Sequence, residues 1–211
     1  MKIGMPILYE FDSLEENFAF AARGGFDFVE LNLNFSYCRK ELLDGRLMKE
    51  LKEKYGLGIT LHFFDEADFG TYEEVAESYF TLLKRYVTHA AECGLSTLAL
   101  ENSKTVQYME KTYAVLKKDG FSFTFDIGHD EVCGNLPLKI FEQTDFCGVK
   151  EFHIHDVKEK NGSKKDHVAL GEGKINIAFY KRAAERIGAD CLLELKCSDD
   201  LKKSISRFKS L

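Results

Sequence analysis

The chain has 211 residues, 45% hydrophobic, 13% aromatic and 30% charged, which is the composition of a folded globular protein and not of a disordered or fibrous one. Its 35 acidic residues outnumber 29 basic ones, and the resulting charge of −6 has the wrong sign for a protein that lives on phosphate backbones, which argues against nucleic acid as a partner. No window reaches the roughly 20 apolar residues of a membrane span, no signal peptide precedes the first strand-like run, and the six cysteines form no C-x-x-C pair, so reduced thiols in a cytoplasmic protein are expected.

In chain order, the first apolar run covers residues 2–8. Asp12-Ser13 then opens a helix over 14–22, and Gly24-Gly25 closes it. Strand-like runs follow at 27–33 and 58–64. The clearest amphipathic helix carries Val75, Tyr79, Leu82, Leu83, Tyr86 and Ala90 on one face, with Thr71 before it and Gly94 after it. His89 lies inside this helix and reads as a surface or interhelix residue. Four more buried strands read at 97–100, 121–125, 151–154 and 191–195, and the Gly/Lys-rich stretch 158–173 reads as a long functional loop. Nothing linker-like divides the chain, so residues 1–211 are expected to form one domain. Alternating strands and helices imply a parallel sheet covered by helices, either doubly wound or closed into a barrel.

The chemistry gathers where the strands end. Glu30 closes FVELNL, His62 closes ITLHFF, Glu101 closes LALENS, Asp126 closes FTFDIGH, His153 and His155 close FHIHD, and Glu194 closes LLELK. One acidic residue at a strand end is ordinarily a helix cap or a surface ion-pair partner. Several together are different, because even a neutral polar group buried without a partner costs about 2–7 kcal/mol, and something must offset them jointly. Three carboxylates with histidines describe a divalent-metal site at the C-terminal ends of barrel strands. In Asp126-Ile-Gly-His129, Gly128 would allow a tight turn, and the two-residue period sets His153 and His155 on one strand face. Lys196 shares the face of Glu194, where it meets either a substrate oxyanion or a neighbouring carboxylate. Gly171-Glu-Gly173 lacks the residues of a phosphate-binding loop and reads as loop geometry.

Taken in order, VEL at Glu30, LH at His62, LALEN at Glu101, FDIGH at Asp126–His129, HIHD at His153–Asp156, HVALGEGKIN from His167 and LLELK at Glu194 resemble the xylose isomerase-like barrel superfamily. That group unites sugar-phosphate isomerases and epimerases with endonuclease IV-type enzymes. The resemblance implies a TIM-like (β/α) barrel in which Glu101, Asp126, His153 and Glu194 bind a shared divalent ion, Mn²⁺, Zn²⁺, Co²⁺ or Mg²⁺. His62, His129, His155 and Lys196 would contact the substrate, and Asp156 would support a ligand from behind. The family spacing His-x-x-Asp selects His153 over His155 as the ligand.

One departure from the pattern stands out. Only residues 65–96 separate the His62 and Glu101 strands, and they carry one helix where family members have two strand-helix units. A seven-stranded barrel is therefore expected, closing with altered shear, with a gap, or through a further copy of the chain as a homo-oligomer. The resemblance implies isomerisation or epimerisation of a small sugar, sugar phosphate or polyol derivative, with Glu101 and Glu194 moving a proton through an enediolate. Two alternatives compete: endonuclease IV-like phosphodiester hydrolysis, to which His62 and His167 are suited but Lys165 is not, and a degenerate, non-catalytic metal-binding barrel.

Overall fold

The computed structural model describes residues 1–36, 38, 44–64, 72–92, 99–101 and 122–211. They belong to two compact units, one made of Met1–Glu10 with Leu98–Leu211 and the other of Phe11–Thr97. In the second unit α1 (Leu14–Gly24) leads to β2 (Phe28–Asn32), then α2 (Gly45–Tyr55), β3 (Gly58–His62) and α3 (Glu73–Glu92). The helix signals behave as the sequence predicts. Ser13 accepts the Glu16 N–H at 3.3 Å, Glu16 returns the favour to the Asp12 N–H at 2.9 Å, and Gly25 takes the left-handed conformation with φ 70°. β2 and β3 pair in parallel, and Leu14, Phe18, Leu31, Leu33 and Met48 are buried. His89 faces the start of α2 beside Gly45, with Nδ1 3.4 Å from Glu92, as an interhelix residue should.

The first unit carries a parallel sheet in the order β1-β9-β6-β5-β4, formed by β1 (Ile3–Pro6), β4 (Ala99–Glu101), β5 (Ser122–Asp126), β6 (Val149–Ile154) and β9 (Asp190–Leu193). Two short helices, α4 (Ile127–Val132) and α5 (Leu136–Glu142), follow β5, while α6 (Ile177–Ile187) and α7 (Ser198–Ser210) flank β9. Beneath the helices, Phe125 sits 5.1 Å from Phe141 and 5.5 Å from Phe146, ring centre to ring centre, in a buried aromatic core. The expectation of seven parallel strands therefore matches the described residues, and those between β3 and β4 form a single helix.

Residues 158–173 are not one long loop. Most of them form an antiparallel hairpin of β7 (Asp156–Lys160) and β8 (Ser163–Val168). Asn161 and Gly162 both have positive φ, 53° and 76°, which is the two-residue turn that Asn-Gly favours between strands. The flanking lysines hide this from a hydrophobicity reading, because neither strand shows apolar alternation. No described helix is long and apolar enough to cross a membrane, and the five described cysteines form no disulfide with one another.

Candidate metal centre

Parallel register brings four strand ends of the first unit together. Asp126, the last residue of β5, stands opposite His153 of β6. Glu101, the last residue of β4, stands opposite Thr124 of β5. Glu194 comes directly after β9, and its N–H donates to the Ile154 carbonyl of β6 at 3.1 Å. One donor atom from each of Glu101, Asp126, His153 and Glu194 lies within 4.8 Å of the other three.

His153 Nδ1 is the middle of this group, 3.3 Å from Glu194 Oε2, 3.5 Å from Glu101 Oε1 and 3.9 Å from Asp126 Oδ2. Donor atoms that share one ion at about 2.1 Å stand about 3.0 Å apart in an octahedron and about 3.4 Å apart in a tetrahedron. The three distances from His153 Nδ1 are thus close to those that ligands of one divalent cation would need. Glu194 Oε2 is buried and accepts no hydrogen bond from the described residues, as a ligand oxygen turned toward an ion would be. Behind the cluster, His153 Nε2 lies 3.3 Å from Glu151 Oε1, so a carboxylate fixes the ring with Nδ1 forward. Sequence reading missed Glu151; its signal is the two-residue period that puts it on the same strand face as His153.

Asp126 is both a helix cap and a cluster member. Its Oδ1 accepts the His129 N–H at 2.6 Å at the start of α4, so the ordinary capping role and the chemical role coexist. His129 Nδ1 lies 3.1 Å from Glu101 Oε1 and 3.7 Å from Asp126 Oδ2. Asp126 is fully buried whereas Glu101 keeps 24% of its side-chain surface, so the cluster is accessible from the Glu101 and His129 side.

A second layer of charge surrounds the cluster. His167 places Nδ1 3.1 Å from Asp166 and Nε2 3.2 Å from Glu194 Oε1. Burial works against its charged form, but the two carboxylates prevail and raise its pKa to about 9. Burial likewise would raise the Glu194 carboxyl, yet the imidazoles of His153 and His167 beside it hold it well below the usual range.

Other expected residues fall differently. His155, expected to touch substrate, is fully buried, with Nε2 3.1 Å from Asp126 Oδ1 and Nδ1 accepting the His167 N–H at 2.9 Å. Its ring follows β6 by one residue and is drawn inward by these partners. Gly128 is also reassigned, for it lies in α4 without a positive φ, and a Cβ there would collide with the His155 ring. Asp156 does not back a histidine; its carboxylate collects the N–H groups of Val157, Gly171, Gly173 and Ile175 at 2.9–3.1 Å. The Gly171-Glu-Gly173 stretch is loop geometry wrapped on that carboxylate, and a Cβ on Gly173 would strike it. Lys196 is exposed, with Nζ 3.9 Å from Glu194 Oε1. In the other unit, His62 ends β3 and its Nδ1 donates to the Phe63 carbonyl at 2.7 Å.

No family model matches the chain. It is 27% identical over 131 residues to an uncharacterized protein of Methanocaldococcus jannaschii, covering 58% of this chain and 44% of that protein. A second uncharacterized protein of the same organism is 35% identical over 92 residues, covering 42% and 34%. The matches thus span less than half the length of these relatives. Among solved structures, a D-tagatose 3-epimerase-like protein superposes with a TM-score of 0.72 at 20% identity, covering 100% of this chain and 96% of the other. A xylose isomerase domain containing protein from Salmonella typhimurium gives 0.70 at 14%, covering 99% and 96%. An L-ribulose 3-epimerase gives 0.69 at 16%, covering 100% and 86%. The chain has the fold of the xylose isomerase-like TIM barrels, with seven parallel strands among the described residues.

Proposed function

We propose that the chain is a divalent-metal-dependent isomerase or epimerase of a small sugar, sugar phosphate or polyol derivative, moving a proton at the carbon beside a carbonyl through an enediolate. The observation that carries this reading is the convergence of Glu101, Asp126, Glu194 and His153 within 4.8 Å. Three carboxylates so close repel one another and resist burial unless a cation offsets them. Three oxygen donors and one imidazole nitrogen suit Mn²⁺, Zn²⁺, Co²⁺ or Mg²⁺. An ion held there would polarise the substrate carbonyl and its neighbouring hydroxyl, lowering the cost of removing the proton between them.

The chain's own residues supply the rest. Glu101 ends β4 and Glu194 follows β9, and in the sheet β5 and β6 lie between these two strands. The two carboxylates therefore flank the cluster, so that one removes the proton from one face of the substrate and the other returns it to the opposite face. His129, beside the more exposed Glu101, and Lys196, beside Glu194, polarise the substrate oxygens. Two of the solved structures with this fold are named as 3-epimerases or as like one, which supports the reaction class.

The test is turnover of a ketose and ketose-phosphate panel by protein loaded with Mn²⁺ or Co²⁺. Glu101→Gln and Glu194→Gln should each lose more than the 10²- to 10⁴-fold that a general acid–base group alone typically contributes, since each also holds the ion. Lys165→Ala, on the exposed hairpin, should change the rate only a few-fold. In D₂O the product should carry deuterium at the carbon next to the carbonyl. Active protein with unlabelled product would overturn the two-glutamate relay.

A further inference from the structure

A second group of donor atoms competes for the same ion. Asp126, His155, His167 and Glu194 also lie within 4.8 Å of one another, sharing two carboxylates with the first group. The hydrogen bonds decide between the two groups. A backbone N–H can only donate, and that of His167 points at His155 Nδ1 from 2.9 Å, so Nδ1 accepts and the ring proton sits on Nε2. The Asp156 carbonyl, 3.4 Å from the same nitrogen, is too distant to compete. His155 Nε2–H therefore faces both oxygens of Asp126, at 3.1 and 3.2 Å, and keeps no lone pair for an ion. His167 is engaged on both sides of its ring, with Nδ1 3.1 Å from Asp166 Oδ1 and Nε2 3.2 Å from Glu194 Oε1, so each ring nitrogen faces a carboxylate.

The two rings stack 4.1 Å apart and within 8° of parallel, so each fixes the plane of the other. Gly128 leaves the space in which the His155 ring lies. We infer that His155 and His167 are a positioning pair and not metal ligands. His155 holds Asp126 and His167 holds Glu194 by Oε1, leaving Glu194 Oε2 and an oxygen of Asp126 turned toward Glu101 and His153. The chain then carries one ion with a single imidazole ligand. This inference rests on the proposed function only in taking Glu101, Asp126, His153 and Glu194 as the ligands.

Co²⁺ alone is the probe. Titrated into the metal-free full chain, it should bind at one equivalent, and X-ray absorption of the loaded protein should show one imidazole. His155→Leu and His167→Leu should each weaken Co²⁺ binding about 10- to 100-fold, the usual effect of removing a partner behind a ligand. Both should keep one equivalent and one imidazole. His155→Gln and His167→Gln, whose amide N–H can replace the lost donor, should recover most of the affinity. Two equivalents that fall to one in the leucine variants, a second imidazole on the wild type, or leucine variants that bind as tightly as wild type would overturn the pairing. X-ray absorption needs no variant, so misfolding cannot hide the answer. Wild type that binds no Co²⁺, or keeps it after Glu101→Gln combined with His153→Leu, sinks the ligand assignment itself and the pairing with it.

Discussion

Gly128 shows how one missing side chain shapes the centre. In the sequence it reads as a turn residue between Asp126 and His129, but in α4 its backbone is ordinary and its value is the space it leaves for the His155 ring. Gly128→Ala forces that ring away from Asp126 or shifts the helix. We expect a stability loss of about 1–3 kcal/mol, the usual penalty for overpacking, measured by urea unfolding, together with weaker Co²⁺ binding. An alanine variant with unchanged stability and unchanged affinity would show that the ring has another place to go. Glu151 and His153 make the complementary point, because a carboxylate two residues before a histidine on one strand settles which imidazole nitrogen faces forward.

Between elements, two buried aspartates tie together pieces that no local propensity links. Asp156 begins β7, accepts the N–H of its neighbour Val157, and anchors residues 171–175 through three more backbone N–H groups. Asp156→Ala strands those donors, each worth about 1–3 kcal/mol when left unsatisfied, so a loss of at least about 3 kcal/mol is expected in urea unfolding. Asp130 of α4 accepts the Leu138 N–H of α5 at 2.8 Å and the Tyr180 hydroxyl of α6 at 3.1 Å. Burial, ahead of the other influences, raises its pKa from 3.8 to about 6, and burial together with the Asp130 contact pushes the Tyr180 phenol upward. The folded chain therefore keeps a proton that the unfolded chain releases. The stability this contributes is complete below pH 3.8 and is lost as pH rises through about 6. Asp130→Asn should remove a slope of at most about 1.4 kcal/mol per pH unit between these limits, read as the difference between variant and wild type in urea unfolding at several pH values. Parallel curves would refute the burial of this charge.

At the scale of the molecule, what the sequence determined by itself is whatever depends on near neighbours. Strand and helix order follows from two-residue and 3.6-residue periods and from caps such as Ser13 and Gly25. The shortened barrel is legible because one helical period fills the space between the His62 and Glu101 strands. The cluster is legible because ionisable residues end buried strands in parallel order, and parallel register places successive strand ends side by side. The hairpin at 156–168 was marked only by Asn161-Gly162, since its lysine-rich strands lack an apolar face. The division of labour between His153 and His155 was out of reach. Both lie on the same short segment, and what separates them is the N–H of His167, 12 residues away, and the space at Gly128. Asp130 and Tyr180 are 50 residues apart, and Asp156 takes its partners from as far as 19 residues along the chain. A hydrogen bond between distant residues leaves no period in the sequence, because each partner is compatible locally with many environments. Only the folded chain, by fixing the direction of every donor and acceptor, decided which carboxylates face one another and which imidazole nitrogens stay open to an ion.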